Sequence, residues 1–244
     1  TRQKPLFEGR AQFSKDGGFF GGGVEVSRTI RMHDSFVDRQ IIEESKNFGF
    51  HKVRSMGLSS LEATSTRYKL GEAVQNFFNN CRELSLNPEV PALKLGVREA
   101  AQGIVQTFEQ ANNAIDAQRQ DIDIHLTSIV EDINKQTKEL AELNAKIYEF
   151  SRMGHSANEL EDRRELILRE LSEKLGFSIS VNERGQLSLN SIGSGILLEG
   201  DTANSLVVSR SGAEGDKSEG SLDVYIKDSL GLHKITNLLK EGEI

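Results

Sequence analysis

The chain has 244 residues, of which 36% are hydrophobic, so it can bury a substantial core as one or two domains. Its net charge of −7 is uneven, because residues 1–70 hold twelve basic and eight acidic residues and the remainder is acidic. Lysine and arginine are scattered among acids without interleaved aromatics, which argues against a nucleic-acid surface. No stretch approaches the roughly 18 apolar residues of a membrane helix, and no secretory signal is recognisable. The sequence begins at Thr1 rather than Met, and we expect an excised fragment.

Residues 1–33 are predicted to form a β-hairpin. Short extended segments are indicated over 3–7, 10–13 and 24–30, the last with clear alternation of apolar and polar residues. The glycine-rich stretch 16–23 is followed neither by Gly-Lys-Ser/Thr nor directly by a helix, which disfavours a phosphate-binding loop. We interpret it as the flexible turn of the hairpin.

Helical periodicity begins at Asp34, which is placed to cap a helix extending to about Leu61. Gly49 and Gly57 weaken this helix by about 1 kcal/mol each relative to alanine. A second helix over 69–86 is ended by the proline-containing segment 87–91. The lone cysteine, Cys81, lies on its apolar face and is interpreted as a buried filler, so no disulfide framework exists.

The longest predicted element is a helix over 91–150, with Pro91 in its first turn. Its apolar stripe consists of Ile104, Phe108, Ala111, Ile115, Ile122, Leu126, Ile129, Ile133, Leu140, Leu143 and Ile147. The spacing averages close to 3.6 residues per turn, which favours packing against helices of the same chain over a regular two-stranded coil. Gln118, Gln136 and Thr137 interrupt the stripe and are interpreted as register-setting polar positions.

A fourth helix over 158–175 is predicted to start with a capping box formed by Ser156 and Glu159 and to end at Gly176. The period then changes to that of short strands separated by turn residues, predicted over 177–181, 186–189, 196–199, 206–209 and 222–227. A short helix over 233–240 is expected to close the chain. The acidic, glycine-rich segment 212–220 lacks the spacing of a calcium loop and is expected to be a mobile turn.

The sequence predicts no catalytic, cofactor or metal site. Asp121 and His125 stand one helical turn apart, but no further His or Cys cluster completes a metal site. Cys81 lies inside a predicted helix rather than at a helix N-terminus, where a reactive cysteine is favoured, and no Gly-x-Ser-x-Gly motif is present. Adjacent acids such as Glu43 and Glu44 point in different directions and form no catalytic dyad.

Three separated stretches carry further motifs. They are Thr1-Arg2-Gln3 with Gly22-Gly23-Val24-Glu25-Val26-Ser27-Arg28-Thr29-Ile30-Arg31 and Asp34-Ser35-Phe36; Phe77-Phe78 with Leu84-Ser85-Leu86-Asn87-Pro88-Glu89 and Pro91-Ala92; and Ala157-Asn158-Glu159-Leu160-Glu161-Asp162-Arg163-Arg164-Glu165-Leu166. In this order and spacing they resemble the FlgK family of flagellar hook-associated proteins. The resemblance covers most of residues 1–175 and thins after Val181.

The resemblance assigns structural positions rather than catalytic ones. The matching residues are Gly23, Val24, Asp34, Phe36, Asn87, Pro88, Pro91, Asn158, Leu160, Asp162 and Arg164. Val90 stands where the family usually has Asp, and Glu161 and Arg163 replace the usual Leu and Gln. These departures are compatible with surface positions.

The resemblance implies a non-enzymatic subunit of the bacterial flagellum that forms the junction ring between hook and filament. It implies terminal helices outside this sequence that pair and drive polymerisation, and export through the flagellar type III channel without a cleaved signal. The implied partners are further copies of the chain, the hook protein, the next hook-associated protein toward the filament, and an export chaperone that binds the missing C-terminus. No cofactor, nucleic acid or membrane partner is implied.

Two other functions stay open, namely another flagellar axial protein such as hook protein or flagellin, and a muramidase-like enzyme carried on a helical rod. The expected fold is mainly α with a β-rich part. Residues 1–175 are expected to form an elongated antiparallel helical bundle preceded by the hairpin, and residues 176–244 a small separate β-rich domain ending in a short helix.

Overall fold

The computed structural model describes residues 2–13, 19–32, 34–191, 195–210, 222–239 and 241–244. The chain divides into two compact units. Unit 1 comprises Thr1–Phe50 and Ile129–Ile244, and unit 2 comprises His51–Ser128. The sequence predicts a domain boundary after residue 175, where independent folding of the two parts would begin. The division into two units does not test independent folding, so this boundary stays a prediction.

The predicted N-terminal hairpin is confirmed. Strands β1 (Arg2–Phe13) and β2 (Phe19–Met32) pair antiparallel, with register shifts at Leu6/Phe7 and Gly9/Ala11. Residues 16–18 of the predicted turn over 16–23 lie outside the described residues. The rest of that prediction is wrong, because residues 19–23 form the start of β2, which pairs with β1.

All four long helices are present, as α1 (Ser35–Tyr68), α2 (Leu70–Leu86), α3 (Pro91–Arg152) and α4 (Asn158–Lys174). The 62 residues of α3 correspond to roughly 93 Å of helix. The first helix continues seven residues beyond the expected end at Leu61. No helix in the described part of the chain is long and apolar enough to span a bilayer.

The apolar stripe of α3 is buried mainly in unit 1. Its members from Ile129 to Ile147 are almost inaccessible to solvent, whereas Phe108, Ile115 and Ile122 are 50%, 40% and 61% exposed. In unit 2, Ala111 is buried and Ile104 and Leu126 are half-buried. The stripe is therefore a core element in unit 1 and only partly covered in unit 2.

The predicted capping box at Ser156 and Glu159 is wrong. The N-cap residue of α4 is Ala157, and no side chain caps the described start of this helix. The Ser156 hydroxyl instead donates to Asn158 Oδ1 at 2.7 Å. The helix therefore begins one residue later than a capping box with Ser156 as the N-cap requires.

The C-terminal part forms two antiparallel sheets in the described residues. One contains β3 (Phe177–Val181), β4 (Leu187–Ser191), β5 (Gly195–Glu199) and β6 (Thr202–Ala203) in that order. The other contains β7 (Ser205–Arg210), β8 (Leu222–Asp228) and β9 (Gly231–Lys234). The acidic segment 212–220 lies outside the described residues.

The helix expected over 233–240 is wrong. His233 and Lys234 belong to β9, where they pair with Ile226 and Tyr225, and only a 3₁₀ turn, Thr236–Leu238, follows. Lys234 Nζ donates to the buried carboxylate of Asp223 at 2.6 Å, which fixes this strand on β8. Sheet pairing overrides the weak helical preference of the segment.

The core of unit 1 lies between α3, α4 and the sheets. Its fully buried large side chains are Ile133, Leu140, Ile167, Leu171, Leu175, Phe177, Leu189, Leu197, Leu198, Val224, Ile226 and Ile235. The buried side chains of α3 and α4 from Ile129 onward and those of the sheets belong to the same compact unit.

Candidate functional site

The start of α1 is capped as the sequence predicts. Asp34 Oδ1 accepts hydrogen bonds from the backbone N–H groups of Phe36 (3.0 Å) and Val37 (3.3 Å). Two of the otherwise unpaired amides at the helix start are thereby satisfied. Asp34 thus fixes the point at which the chain changes from hairpin to helix.

Just before this cap, Arg31 of the hairpin contacts three carboxylates of α4. Its Nε donates to Asp162 Oδ1 at 2.5 Å, its Nη1 lies 3.4 Å from Glu161 Oε2, and its Nη2 pairs with Glu165. We call these four residues the hairpin–α4 cluster. Burial alone would lower the pKa of Arg31, but hydrogen bonds and charge attraction from Glu165 and Asp162 outweigh burial and raise it. The guanidinium is therefore a permanent cation that holds the hairpin on α4.

We expect Arg31→Ala to lower the free energy of unfolding by about 2 kcal/mol, because three clustered carboxylates lose their shared cation. Arg10→Ala is the matched control on the same hairpin. Arg10 pairs with Glu25 at 3.4 Å and its side chain is 70% exposed, so its removal should change stability by less than about 0.5 kcal/mol. Chemical denaturation followed by circular dichroism measures both variants, and equal effects would contradict the assigned role of Arg31.

Arg164 is a half-buried arginine of α4. Desolvation lowers its pKa, and the nearby carboxylates of Glu161 and Glu165 only partly oppose that effect. Its Nη1 donates to the side-chain oxygen of Asn144 on α3 at 3.3 Å. Arg164 therefore faces the interior between α3 and α4, whereas Asp162 faces the hairpin.

Asn144 joins α3 to the first sheet. Its Nδ2 donates to the carbonyl oxygens of Leu187 (2.9 Å) and Gly200 (2.7 Å), and its Oδ1 accepts from the Leu187 N–H at 3.3 Å. Its relative exposure is 1%. One buried amide thus binds both β4 and the turn that follows β5.

Asn134, ten positions earlier on α3, does the same for the second sheet. Its Nδ2 donates to the Leu206 carbonyl oxygen at 2.9 Å, and its Oδ1 accepts from the Leu206 N–H at 2.7 Å. The two asparagines together fix both sheets along the same helix.

The C-terminal segment 241–244 closes the end of α4. The N–H groups of Glu243 and Ile244 donate to the carbonyl oxygens of Glu173 (2.9 Å) and Lys174 (3.2 Å). The Gly242 N–H donates to the backbone carbonyl oxygen of Lys46 on α1 at 3.1 Å. The first two bonds satisfy carbonyls that the end of α4 otherwise leaves free, and the third connects the segment to α1.

Gly49 of α1 makes this close approach possible. A Cβ at this position would lie 2.0 Å from the backbone oxygen of Glu173. The packing of α1, α4 and the final segment therefore depends on the missing side chain.

The other motif residues lie apart from these contacts. In unit 2, Asn87 caps the C-terminus of α2 through its N–H to Glu83, and Pro88 and Pro91 stand in the turn and at the first position of α3. In unit 1 the remaining positions are Gly23 at φ +85°, the exposed side chains of Val24 and Phe36, and the half-buried Asn158 and Leu160 at the start of α4.

Two of the three polar residues that interrupt the α3 stripe form hydrogen bonds to another helix. Gln118 donates to the Ser60 carbonyl (3.2 Å) and to the Thr64 hydroxyl (2.6 Å), both on α1. Gln136 donates to Glu170 on α4 at 3.0 Å.

Sequence reasoning missed the asparagine contacts. Asn134 and Asn144 lie beside the buried stripe of α3. An amide side chain next to an otherwise apolar helix face was the sequence pattern that could have indicated these contacts. The Arg31 pairing with α4 connects residues 130 or more positions apart and left no local signal. Among the described residues, no group of three or more His, Cys, Asp or Glu is arranged to hold a metal ion.

Comparison with known proteins identifies the family. Residues 58–244 match the flagellar hook-associated protein FlgK helical domain. The chain is 26% identical to flagellar hook-associated protein 1 of Salmonella typhimurium over its whole length, and 25% identical to that of Bacillus subtilis over 78% of the chain. It spans less than half of these relatives, 44% and 40% respectively.

The fold agrees with this match. The solved structure of the flagellar hook junction protein FlgK from Burkholderia pseudomallei superposes with a TM-score of 0.69 at 20% identity, covering 84% of this chain and 37% of that protein. With more than half of the sequence matching the helical-domain family, the chain belongs to the flagellar hook-associated protein FlgK family.

Proposed function

We propose that this chain is the helical domain of a structural subunit that forms the junction ring between the flagellar hook and the filament. The observation that carries the proposal is the match of residues 58–244 to the FlgK helical domain. The fold-level similarity to a hook junction protein supports it. We propose a mechanical role without catalysis, which the match to flagellar hook-associated proteins supports.

The contacts of unit 1 suit a mechanical role. The hairpin, α1, α4 and the final segment are connected by the hairpin–α4 cluster, by the Asp38–Arg169 ion pair and by backbone hydrogen bonds at Glu173 and Lys174. Forces on any of these elements are shared through short polar contacts rather than through apolar packing alone.

The open stripe of unit 2 suits assembly. Val105, Phe108, Ile115 and Ile122 of α3 are each at least 40% exposed. Exposed apolar residues that recur along one helix are typical of interaction surfaces. We propose that segments of the intact protein outside these 244 residues cover this stripe, since the chain spans 44% of its Salmonella typhimurium relative.

The proposed partners are hook and filament components, specifically further copies of the protein, the hook protein and the next hook-associated protein toward the filament. The proposed location is the flagellum outside the cell. Export through the flagellar type III channel, and an export chaperone that binds the C-terminal region of the intact protein, belong to the same proposal.

Deletion of the corresponding gene tests the role. Cells without the protein should assemble hooks without filaments and release flagellin into the medium, and re-expression of the intact protein should restore filaments. Normal filaments on the deletion strain would exclude the junction role.

The isolated 244-residue chain should be monomeric at micromolar concentration, because the polymerising termini that the family resemblance implies are absent and the net charge of −7 adds mild repulsion. Light scattering coupled to size exclusion measures the mass. A stable ring formed by this chain alone would place the assembly contacts on the helices described above.

A further inference from the structure

The first turns of α1 leave an apolar face uncovered in unit 1. Val37, Ile41 and Phe48 recur at steps of four and seven residues, which places them on one side of the helix. Their exposed fractions are 45%, 36% and 59%. The neighbouring side of the same turns is buried and consists of Ile42, Lys46 and Gly49. In this unit the helix therefore has one covered side and one open apolar side.

The open side is one wall of a groove of about 550 Å³ between α1 and the last turn of α4. Glu44 of α1 and Glu173 of α4 add carboxylates to its lining. Among the described residues, no lysine or arginine lines this groove. The lining favours an occupant that has an apolar face and carries basic residues at its edge.

The last described residues run beside the groove. The Glu243 N–H donates to the Glu173 carbonyl oxygen at 2.9 Å, and the Ile244 N–H donates to the next carbonyl oxygen at 3.2 Å. The Glu243 nitrogen also lies 3.3 Å from the place of a Cβ at Gly49, the residue after Phe48. Ile244 is therefore held next to the part of the groove that Phe48 and Glu173 line.

The chain that follows Ile244 in the intact protein is well placed to reach the groove. The 244 residues span 44% of the Salmonella typhimurium relative, so more than half of that relative lies outside the match. The face from Val37 to Phe48 is about 17 Å long, which about 12 helical residues cover. A segment attached beside its site acts at an effective concentration in the millimolar range, about a thousandfold above a second copy at micromolar concentration.

We propose that the residues directly following Ile244 in the intact protein form an amphipathic segment that fills this groove. Its apolar side chains pack on the open side of α1, and its basic side chains lie beside Glu44 and Glu173. The segment continues the contacts that residues 241–244 make and covers α1 on a second side. This surface is distinct from the α3 stripe of unit 2, and its occupant goes beyond the junction role, on which it does not depend.

A photoreactive side chain at position 48 identifies the occupant in the intact protein. Phe48→p-benzoylphenylalanine keeps an aromatic ring at an exposed position, so the fold should be preserved. After irradiation and digestion, mass spectrometry should find position 48 joined to a peptide from about the first 30 residues after Ile244. Arg39→p-benzoylphenylalanine is the control, because this exposed position lies on the opposite side of α1. It should give at least about fivefold less of the same cross-link.

Isotope mixing distinguishes the same chain from a second copy. In an equal mixture of ¹⁵N-labelled and unlabelled intact protein, the two joined peptides should carry the same label. Mixed pairs would overturn the proposal in favour of a second copy. A cross-link to any other region, or none at position 48, would overturn it as well. These outcomes concern the purified protein and leave the junction role to its own test.

Phe48→Asp should release the segment from the groove. The substitution removes an apolar contact and adds a third carboxylate beside Glu44 and Glu173. Subtilisin should then cleave the intact protein after Ile244 at least about fivefold faster. Asn47→Asp is the matched control, because it adds the same charge at an exposed residue outside the lining and should change the rate less than about twofold. Equal cleavage rates in the two variants would contradict the proposed occupant.

Discussion

Replacing Gly49 by alanine should lower the free energy of unfolding by about 3 kcal/mol or more. An alanine Cβ would lie 2.0 Å from the Glu173 backbone oxygen and 3.3 Å from the Glu243 nitrogen. Neither contact can be relieved by rotation of a side chain, because both neighbours are backbone atoms. The end of α4 and the final segment must therefore move away from α1, which disturbs the core nearby.

Gly57→Ala is the control within the same helix. A Cβ at position 57 has nothing within 4 Å, so alanine should stabilise the helix by about 0.5–1 kcal/mol. The chain has no tryptophan, and urea denaturation followed by far-ultraviolet circular dichroism is the suitable measurement. Stabilisation by both substitutions would show that α1 does not approach α4 at Gly49.

Asn144→Ala should have the second large effect, a loss of about 3 kcal/mol. The change removes hydrogen-bonding partners from the Leu187 N–H, from the Leu187 and Gly200 carbonyls and from the Arg164 guanidinium. Each unpaired buried polar group costs about 1–3 kcal/mol. Because the affected groups share one amide, we expect a total loss below the simple sum of their individual costs. Hydrogen exchange should also become faster in β4 and β5, because the amide fixes this sheet on α3.

Asn112→Ala provides the matched substitution on the same helix. Asn112 is exposed and donates only to Asp116, one turn away, at 3.0 Å. Its loss should change stability by less than about 0.5 kcal/mol. Equal effects at positions 112 and 144 would mean that the buried amide does not hold the sheet.

Local signals in the sequence were sufficient for most of the elements. The 3.6-residue period located all four helices, and Asn87, Pro88 and Pro91 marked the break between α2 and α3. Alternating residues indicated the hairpin and five of the strands. These features depend on neighbours within a few positions, which a single sequence records directly.

Features that depend on distant partners were not predictable in this way. The segment 233–240 has a weak helical pattern, but pairing with β8 makes its first residues a strand. Gly49 looked like a weakness of α1, and only the approach of Glu173 explains it. The break at Lys69 carries no turn residue at that position, so the pattern gave only an approximate end for α1.

The contacts of the candidate site also fall into two groups, those that local sequence predicts and those that depend on distant partners. Asp34 was predicted as a cap from its position before an apolar helix, and the structure places it there. The partners of Asp162 and Arg164 come from the hairpin and from α3, and no spacing rule relates those segments. The role of the intact protein rests on the family match rather than on the geometry of any one site.

Immunogold electron microscopy of flagella isolated from the source cells tests the junction role most directly. Antibodies raised against this chain should label a single narrow band where the curved hook meets the filament, and flagella from a deletion strain should remain unlabelled. Gold distributed along the filament or along the whole hook would contradict the junction role and would indicate a different axial protein.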